Sequence, residues 1–258
     1  MNYKDTYSSW ESDPENFWME AAKAIDWYKF PSRALNKGRE PFYSWYSDGE
    51  VNTCFNAVDR HVEAGLGKKI AIIYDSPVTG VTRTLTFNEL LENTAKFAGA
   101  LQSSGIQKGD RVIIYMPMIP EAIIAMLACA RLGAIHSVVF GGFASKELAV
   151  RIDDAKPRAI ILGSCGIEPS GIIPYKPLLD KAVEQSDHKP EFCVVYQREQ
   201  LEASLVSGRD HEWHEFQRDS VSSPCFPIYG SDPLYILYTS GTTGQPKGVV
   251  RPTGGHLV

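Results

Sequence analysis

The sequence has 258 residues, 43% of them hydrophobic and 22% charged, with a net charge of −5. That is core enough for one large α/β domain or two small ones, and an acidic chain without a basic cluster argues against nucleic acid as a partner. The longest apolar run, Ala122 to Ala130, is far too short for a bilayer. The N-terminus has neither signal- nor transit-peptide character, so a cytoplasmic protein with no membrane association is expected.

Residues 1–60 carry many aromatics, among them Trp10, Trp18, Trp27, Trp45 and Tyr46, expected to pin an irregular segment onto the main body. Asp13-Pro14-Glu15 reads as a helix start with Asp as N-cap, and Phe17, Trp18, Ala21, Ala22 and Ile25 share one face. The polar residues around Asn52 and Asn56 read as structural. Lys69–Tyr74 and Val81–Leu85 flank Ser76-Pro77-Val78-Thr79-Gly80 and predict a β-hairpin. Thr86 and Glu89 form a capping box for an amphipathic helix that stops at Gly105.

An α/β alternation follows: strand Arg111–Tyr115, helix Glu121–Leu132 ended by Gly133, strand Ile135–Phe140, a helix from Ser145 as cap to Asp154, and strand Arg158–Leu162. Strands separated by helices of this length predict a doubly wound, mostly parallel sheet, with ligands beyond the carboxyl ends of the strands. His136 reads as a packing residue. Residues 163–191 look loop-rich, and 191–196 is another strand. His211 and His214 read as a solvated helix face without a third metal ligand. Five cysteines, at 54, 129, 165, 193 and 225, lack any C-x-x-C and predict reduced thiols without a disulfide or zinc framework.

After a Ser/Pro/Gly-rich linker (219–231), the apolar run Leu234–Tyr238 ends at Thr239-Ser240-Gly241-Thr242-Thr243-Gly244-Gln245-Pro246-Lys247-Gly248. This reads as strand, loop, strand. Glycines at 241, 244 and 248 allow close backbone approach, successive N–H groups and hydroxyls make an anion-binding concavity, and Lys247 adds a point charge. It is not a Walker A loop, which would place Ser or Thr after the lysine and lead into a helix. Polyphosphate binding is the chemistry it suggests.

That string resembles the phosphate-loop signature of the adenylate-forming (AMP-binding) superfamily. Residues 115–121 and 128–143, with Gly141-Gly142-Phe143, resemble its short-chain branch, the acetyl- and propionyl-CoA synthetases, over essentially the whole chain. Gly166-Ile167-Glu168-Pro169 and Arg251-Pro252-Thr253-Gly254-Gly255 look like the propionate–CoA ligase versions. The resemblance implies an acetyl-CoA-synthetase-type N-terminal segment over 1–60. It also implies the N-terminal part of the large adenylate-forming α/β domain over 61–258, incomplete after the phosphate loop. It implies ATP-dependent conversion of propionate to acyl-adenylate and then acyl-CoA, with ATP, Mg²⁺ and coenzyme A. Acetate, or a catalytically inactive polyphosphate-binding module, is the alternative.

By the same resemblance, Thr239, Ser240, Gly241, Thr242, Thr243, Gly244 and Lys247 hold the ATP phosphates, while Glu168, Pro169, Ser170 and Gly171 face coenzyme A. No catalytic residue and no metal ligand is assigned to this stretch. Related enzymes carry an arginine in or near the coenzyme A loop; here residues 170–173 are Ser-Gly-Ile-Ile, and Lys176 is the nearest downstream cation. The family's acyl pocket and adenylation lysine lie in later segments, so no turnover is expected of this chain alone. Self-association or a complementing C-terminal chain is expected instead.

Overall fold

The computed structural model describes residues 2–38, 40–239 and 246–258. Helix α1 (Tyr3–Ser12) leads into α2 (Pro14–Ala22), which starts as its sequence dictates, with the Asp13 carboxylate accepting from the Asn16 N–H. Four short strands follow: β1 (Trp27–Lys29), β2 (Leu35–Asn36), β3 (Ser44–Trp45) and β4 (Glu50–Val51). Only part of the aromatic segment packs as expected. Tyr46 is buried with Trp18, Trp27 and Trp45 around it, whereas Tyr3, Phe42 and Tyr43 stay exposed.

Strands β5 (Ile70–Ser76) and β6 (Val81–Thr86) form the predicted hairpin. Helix α3 (Phe87–Ser103) carries the capping box: Thr86 Oγ1 accepts from the Glu89 N–H at 3.3 Å, and Glu89 Oε2 accepts from the Thr86 N–H at 2.7 Å. Strand β7 (Arg111–Met116) is followed by α4 (Pro120–Leu132), with proline in its first turn and Gly133 at φ +73° closing it. The positive φ favours glycine, and a Cβ there would sit 2.3 Å from Ile228 Cδ1, so that side chain would have to move.

Next come β8 (Ile135–Phe140), α5 (Ser145–Ala155) and β9 (Ala159–Gly163). Ser145 is not the expected cap: it lies inside α5, and the residue before it, Ala144, makes no side-chain cap. Residues 163–191 are not loop-rich. They form a hairpin of β10 (Cys165–Glu168) and β11 (Gly171–Pro174), then helix α6 (Tyr175–Gln185). Pro177 falls in the first turn of α6, where no N–H is needed.

Strand β12 (Phe192–Tyr196) pairs with β13 (Asp210–Glu212), followed by the short α7 (Trp213–Gln217). His211 and His214 therefore straddle a strand–helix junction rather than share a helix face. His211 packs against Phe192 and Phe216, and His214 against Tyr196. Last are β14 (Ile228–Tyr229), β15 (Pro233–Thr239), β16 (Lys247–Pro252) and α8 (Thr253–Leu257).

The central sheet has seven strands in the order β13-β12-β9-β7-β8-β15-β16, all parallel except β16. Alternate residues of its inner strands feed two cores. Val112, Ile114, Ile161 and Val194 pack with α3 and α4 on one face. Ile113, Tyr115, Ile160, Leu162 and Val195 pack with α5 and α6 on the other. This is the doubly wound sheet the alternation predicted. From β7 the chain steps to β8, then returns past β7 to β9. The reversal opens a crevice at the carboxyl ends of these strands, where such sheets hold ligands.

Candidate functional site: the carboxyl edge of the parallel sheet

Three loops converge on this edge. The first joins β15 to β16. Thr239 and Lys247 face each other across the two antiparallel strands and mark the base of a hairpin at the carboxyl end of β15. Both residues are exposed. The expected phosphate ligands Ser240, Gly241, Thr242, Thr243 and Gly244 lie outside the described residues.

The base of the hairpin is tied to α5. The Tyr238 hydroxyl donates to Asp154 Oδ2 at 2.6 Å, and burial together with that carboxylate pushes the phenol well above its ordinary range. The Arg151 guanidinium lies over the rings of Tyr238 and Phe143, at 5.3 and 4.7 Å from their centroids, and pairs with Glu147 at 3.2 Å. Arg151 is thus a buried cation that links the hairpin to the second loop.

That second loop is Gly141-Gly142-Phe143, after β8. The Tyr115 hydroxyl donates to the Phe143 carbonyl at 2.9 Å. Tyr175, the first residue of α6, lies against Gly141, where an added Cβ would come 2.4 Å from its ring. The same ring excludes a Cβ at Gly166, 2.1 Å from its hydroxyl oxygen. Both glycines are thus fixed by one tyrosine. Its ring also sits 5.0 Å from that of Tyr115.

The third loop is the β10–β11 hairpin, whose tip carries the expected coenzyme A residues Glu168, Pro169, Ser170 and Gly171, all exposed. A Cβ on Gly142 would come 3.6 Å from Glu168 Oε1, so the second and third loops face each other. The hairpin follows β9 and the hydroxyl-rich loop follows β15, three strand positions away or about 14 Å at the usual strand spacing. The Gly141–Phe143 turn, following β8, lies between them.

Lys176 does not serve this surface. It is buried, with its ammonium 2.6 Å from Asp180 and 2.8 Å from Asp210. Burial works against the Asp210 carboxylate, but Arg209 and Lys176 hold it below its ordinary range, so the lysine's charge is already matched. Sequence reasoning could not see this, because Asp210 is distant along the chain. It also missed Arg198, just past β12. Arg198 Nη1 donates to the Cys165 carbonyl at 3.0 Å, and no carboxylate pairs with it among the described residues. Tyr175 feels its charge, which places the guanidinium at the root of the β10–β11 hairpin.

The described residues do not by themselves make a complete magnesium site at this edge. Among the described residues, the hairpin base offers the Thr239 hydroxyl and α5 the Asp154 carboxylate, which Tyr238 already holds. A hard dication needs several oxygen ligands. His136, on β8, is buried away from this edge: it stacks on Tyr235 at 5.6 Å and its Nδ1 has no partner. Asn52 and Asn56 are structural, as expected. Asn52 donates to the carbonyls of Ala130, Arg131 and Phe226, and Asn56 to that of Asp26. Among the described residues, no helix is long and apolar enough to cross a membrane.

Residues 58–258 match the family described as AMP-binding enzyme, and the chain belongs to that family. Residues 3–57 match the family described as Acetyl-coenzyme A synthetase N-terminus. Among individual relatives, the chain is 53% identical over 99% of its length to Acyl-CoA synthetase short-chain family member 3, mitochondrial, of Rattus norvegicus. The mouse protein of the same name is 52% identical. Propionate–CoA ligase of Escherichia coli is 44% identical over the whole chain. The chain spans 38% of the rat protein and 41% of the bacterial one.

Proposed function

We propose that this chain forms the phosphate- and coenzyme A-facing part of an AMP-forming short-chain acyl-CoA synthetase, with propionate as its acid. The whole reaction consumes a carboxylate and ATP to give acyl-adenylate and pyrophosphate, after which the coenzyme A thiol displaces AMP. The observation that carries the reading is the hairpin bounded by Thr239 and Lys247 at the carboxyl edge of a parallel sheet. In this proposal Thr239, Ser240, Gly241, Thr242, Thr243, Gly244 and Lys247 draw charge from the departing pyrophosphate, as positioned donors do when charge develops. Glu168, Pro169, Ser170 and Gly171 line the coenzyme A side, with Arg198 as the phosphate partner that Lys176 cannot be.

Propionate is favoured by the name of the bacterial relative and by the likeness of residues 166–169 and 251–255. The proposed domain division, 1–60 and 61–258, rests on the same likeness. The expected cytoplasmic location belongs to this reading too, although the mammalian relatives are named mitochondrial; cell fractionation separates the two.

Carboxylate-dependent ATP–pyrophosphate exchange tests the proposal, with acetate, propionate and butyrate. It is run on the 258-residue chain and on the chain extended to the length of its relatives. Exchange confined to the extended form and strongest with propionate is the expected result. Adding a separately expressed C-terminal piece to the short chain tests complementation. Exchange in neither form refutes the enzymatic reading, and acetate preference refutes the choice of acid.

A further inference from the structure

At the opposite, amino-terminal edge of the sheet, the fold brings together two cysteines that are far apart in sequence. A π-helical turn over Phe55–Asp59 places Cys54 and Asp59 on one face, as i→i+5 geometry does. Cys225 arrives from the linker before β14. The sulfurs of Cys54 and Cys225 and one Asp59 oxygen all lie within 4.8 Å of one another, with Cys225 Sγ 3.6 Å and Cys54 Sγ 3.9 Å from Asp59 Oδ2.

Arg131, at the end of α4, closes the cluster. Its guanidinium donates to both Asp59 oxygens at 2.8 and 2.9 Å and to Cys54 Sγ at 3.5 Å. The linker is pinned on either side of Cys225: Arg131 Nε donates to the Ser223 carbonyl at 2.6 Å, and Asn52 Nδ2 to the Phe226 carbonyl at 2.8 Å. Cys54 is fully buried, whereas Cys225 is partly open to solvent.

Two thiols and a carboxylate could be read as a metal site. The guanidinium already occupies the cationic position, however, and a second cation would have to displace or face it.

We propose that Cys54 and Cys225 are an oxidative modification site that closes to an intramolecular disulfide with a low-molecular-weight disulfide as oxidant. The Cys225 sulfur, the exposed one, attacks one sulfur of the oxidant, giving a mixed disulfide and expelling one thiolate. The Cys225 proton passes to that leaving thiolate, which departs as the first free thiol of the oxidant. The Cys54 sulfur then attacks Cys225 Sγ, and the second thiolate of the oxidant leaves with the Cys54 proton as a free thiol. Two protein thiols are oxidised and one disulfide is reduced to two thiols. The product staples the linker that leads into β15 to the N-terminal turn. This inference is independent of the reaction proposed above.

The test incubates the 258-residue chain with glutathione disulfide, then combines thiol titration under denaturing conditions with mass spectrometry of a non-reducing digest. The expected result is loss of two of the five thiols and a Cys54–Cys225 cross-linked peptide. Cys54→Ser should trap a mixed disulfide at Cys225, which a merely structural cysteine would not accumulate. The wild-type digest stands even where that variant folds poorly. Five unreacted thiols, a mixed disulfide that never closes in the wild type, or a stoichiometric zinc ion that protects the pair would each overturn the proposal.

Discussion

Arg198 and His136 show how burial decides what a charged group can do. Lys176 is the cation nearest the tip of the β10–β11 hairpin in sequence, yet two carboxylates consume it, while Arg198 has none among the described residues. Replacing Arg198 with Ala in the extended protein should raise the KM for coenzyme A about tenfold, the scale of one charge-assisted hydrogen bond, and leave ATP–pyrophosphate exchange unchanged. Equal loss in both would mark the residue as structural. For His136, burial pushes the imidazole down to about 4, and His256 adds to the effect. Its folded value lies below the ordinary one, so the unfolded chain takes up the proton first as pH falls. Stability is therefore full above about pH 6.5 and falls between there and pH 4, by about 3 kcal/mol. Urea midpoints across that range should show the loss, and His136→Gln should flatten it.

At the scale of elements, what could be read from the sequence was what is local. The Thr86–Glu89 box, the stop at Gly133 and the proline start of α2 each depend on residues within a turn of one another. Thr86→Ala should cost α3 about 1 kcal/mol, seen as a lower urea midpoint with an unchanged slope. Where the deciding partner lay elsewhere, the sequence misled. Ser145 has the right chemistry for a cap but sits one position too late. Helix α6 hid behind Pro174 and Pro177, although Leu179, Ala182 and Val183 give it a buried face. The site divides in the same way. The hydroxyl-rich loop and the Glu168–Gly171 tip stand out as strings. Tyr175, whose ring fixes Gly141 and Gly166 together, is visible only once β8 and β10 are placed side by side.

For the whole molecule, the sheet is held unevenly. Strands β7, β8 and β9 pair along most of their lengths, whereas β15 pairs with β8 in parallel at only one position, Tyr235 with His136. β16 is one of the two edge strands, and Val249 and Val250 on it are exposed. An edge pair with few anchors opens at lower free energy than the core. Amide exchange in β15 and β16 should therefore run faster than in β7 and β9, and equal rates across the sheet would refute this.

That uneven anchoring makes the proposed nucleotide grip a loose margin hung from a rigid centre. A polyphosphate that closes on Thr239 and Lys247 would have to order the two marginal strands as it binds. Part of its affinity is then spent on fastening them, and the tightness of the grip becomes a property of the sheet's edge as much as of the loop. Anything that braces that edge, whether a neighbouring strand or a longer chain folded against Val249 and Val250, would raise nucleotide affinity without touching the nucleotide.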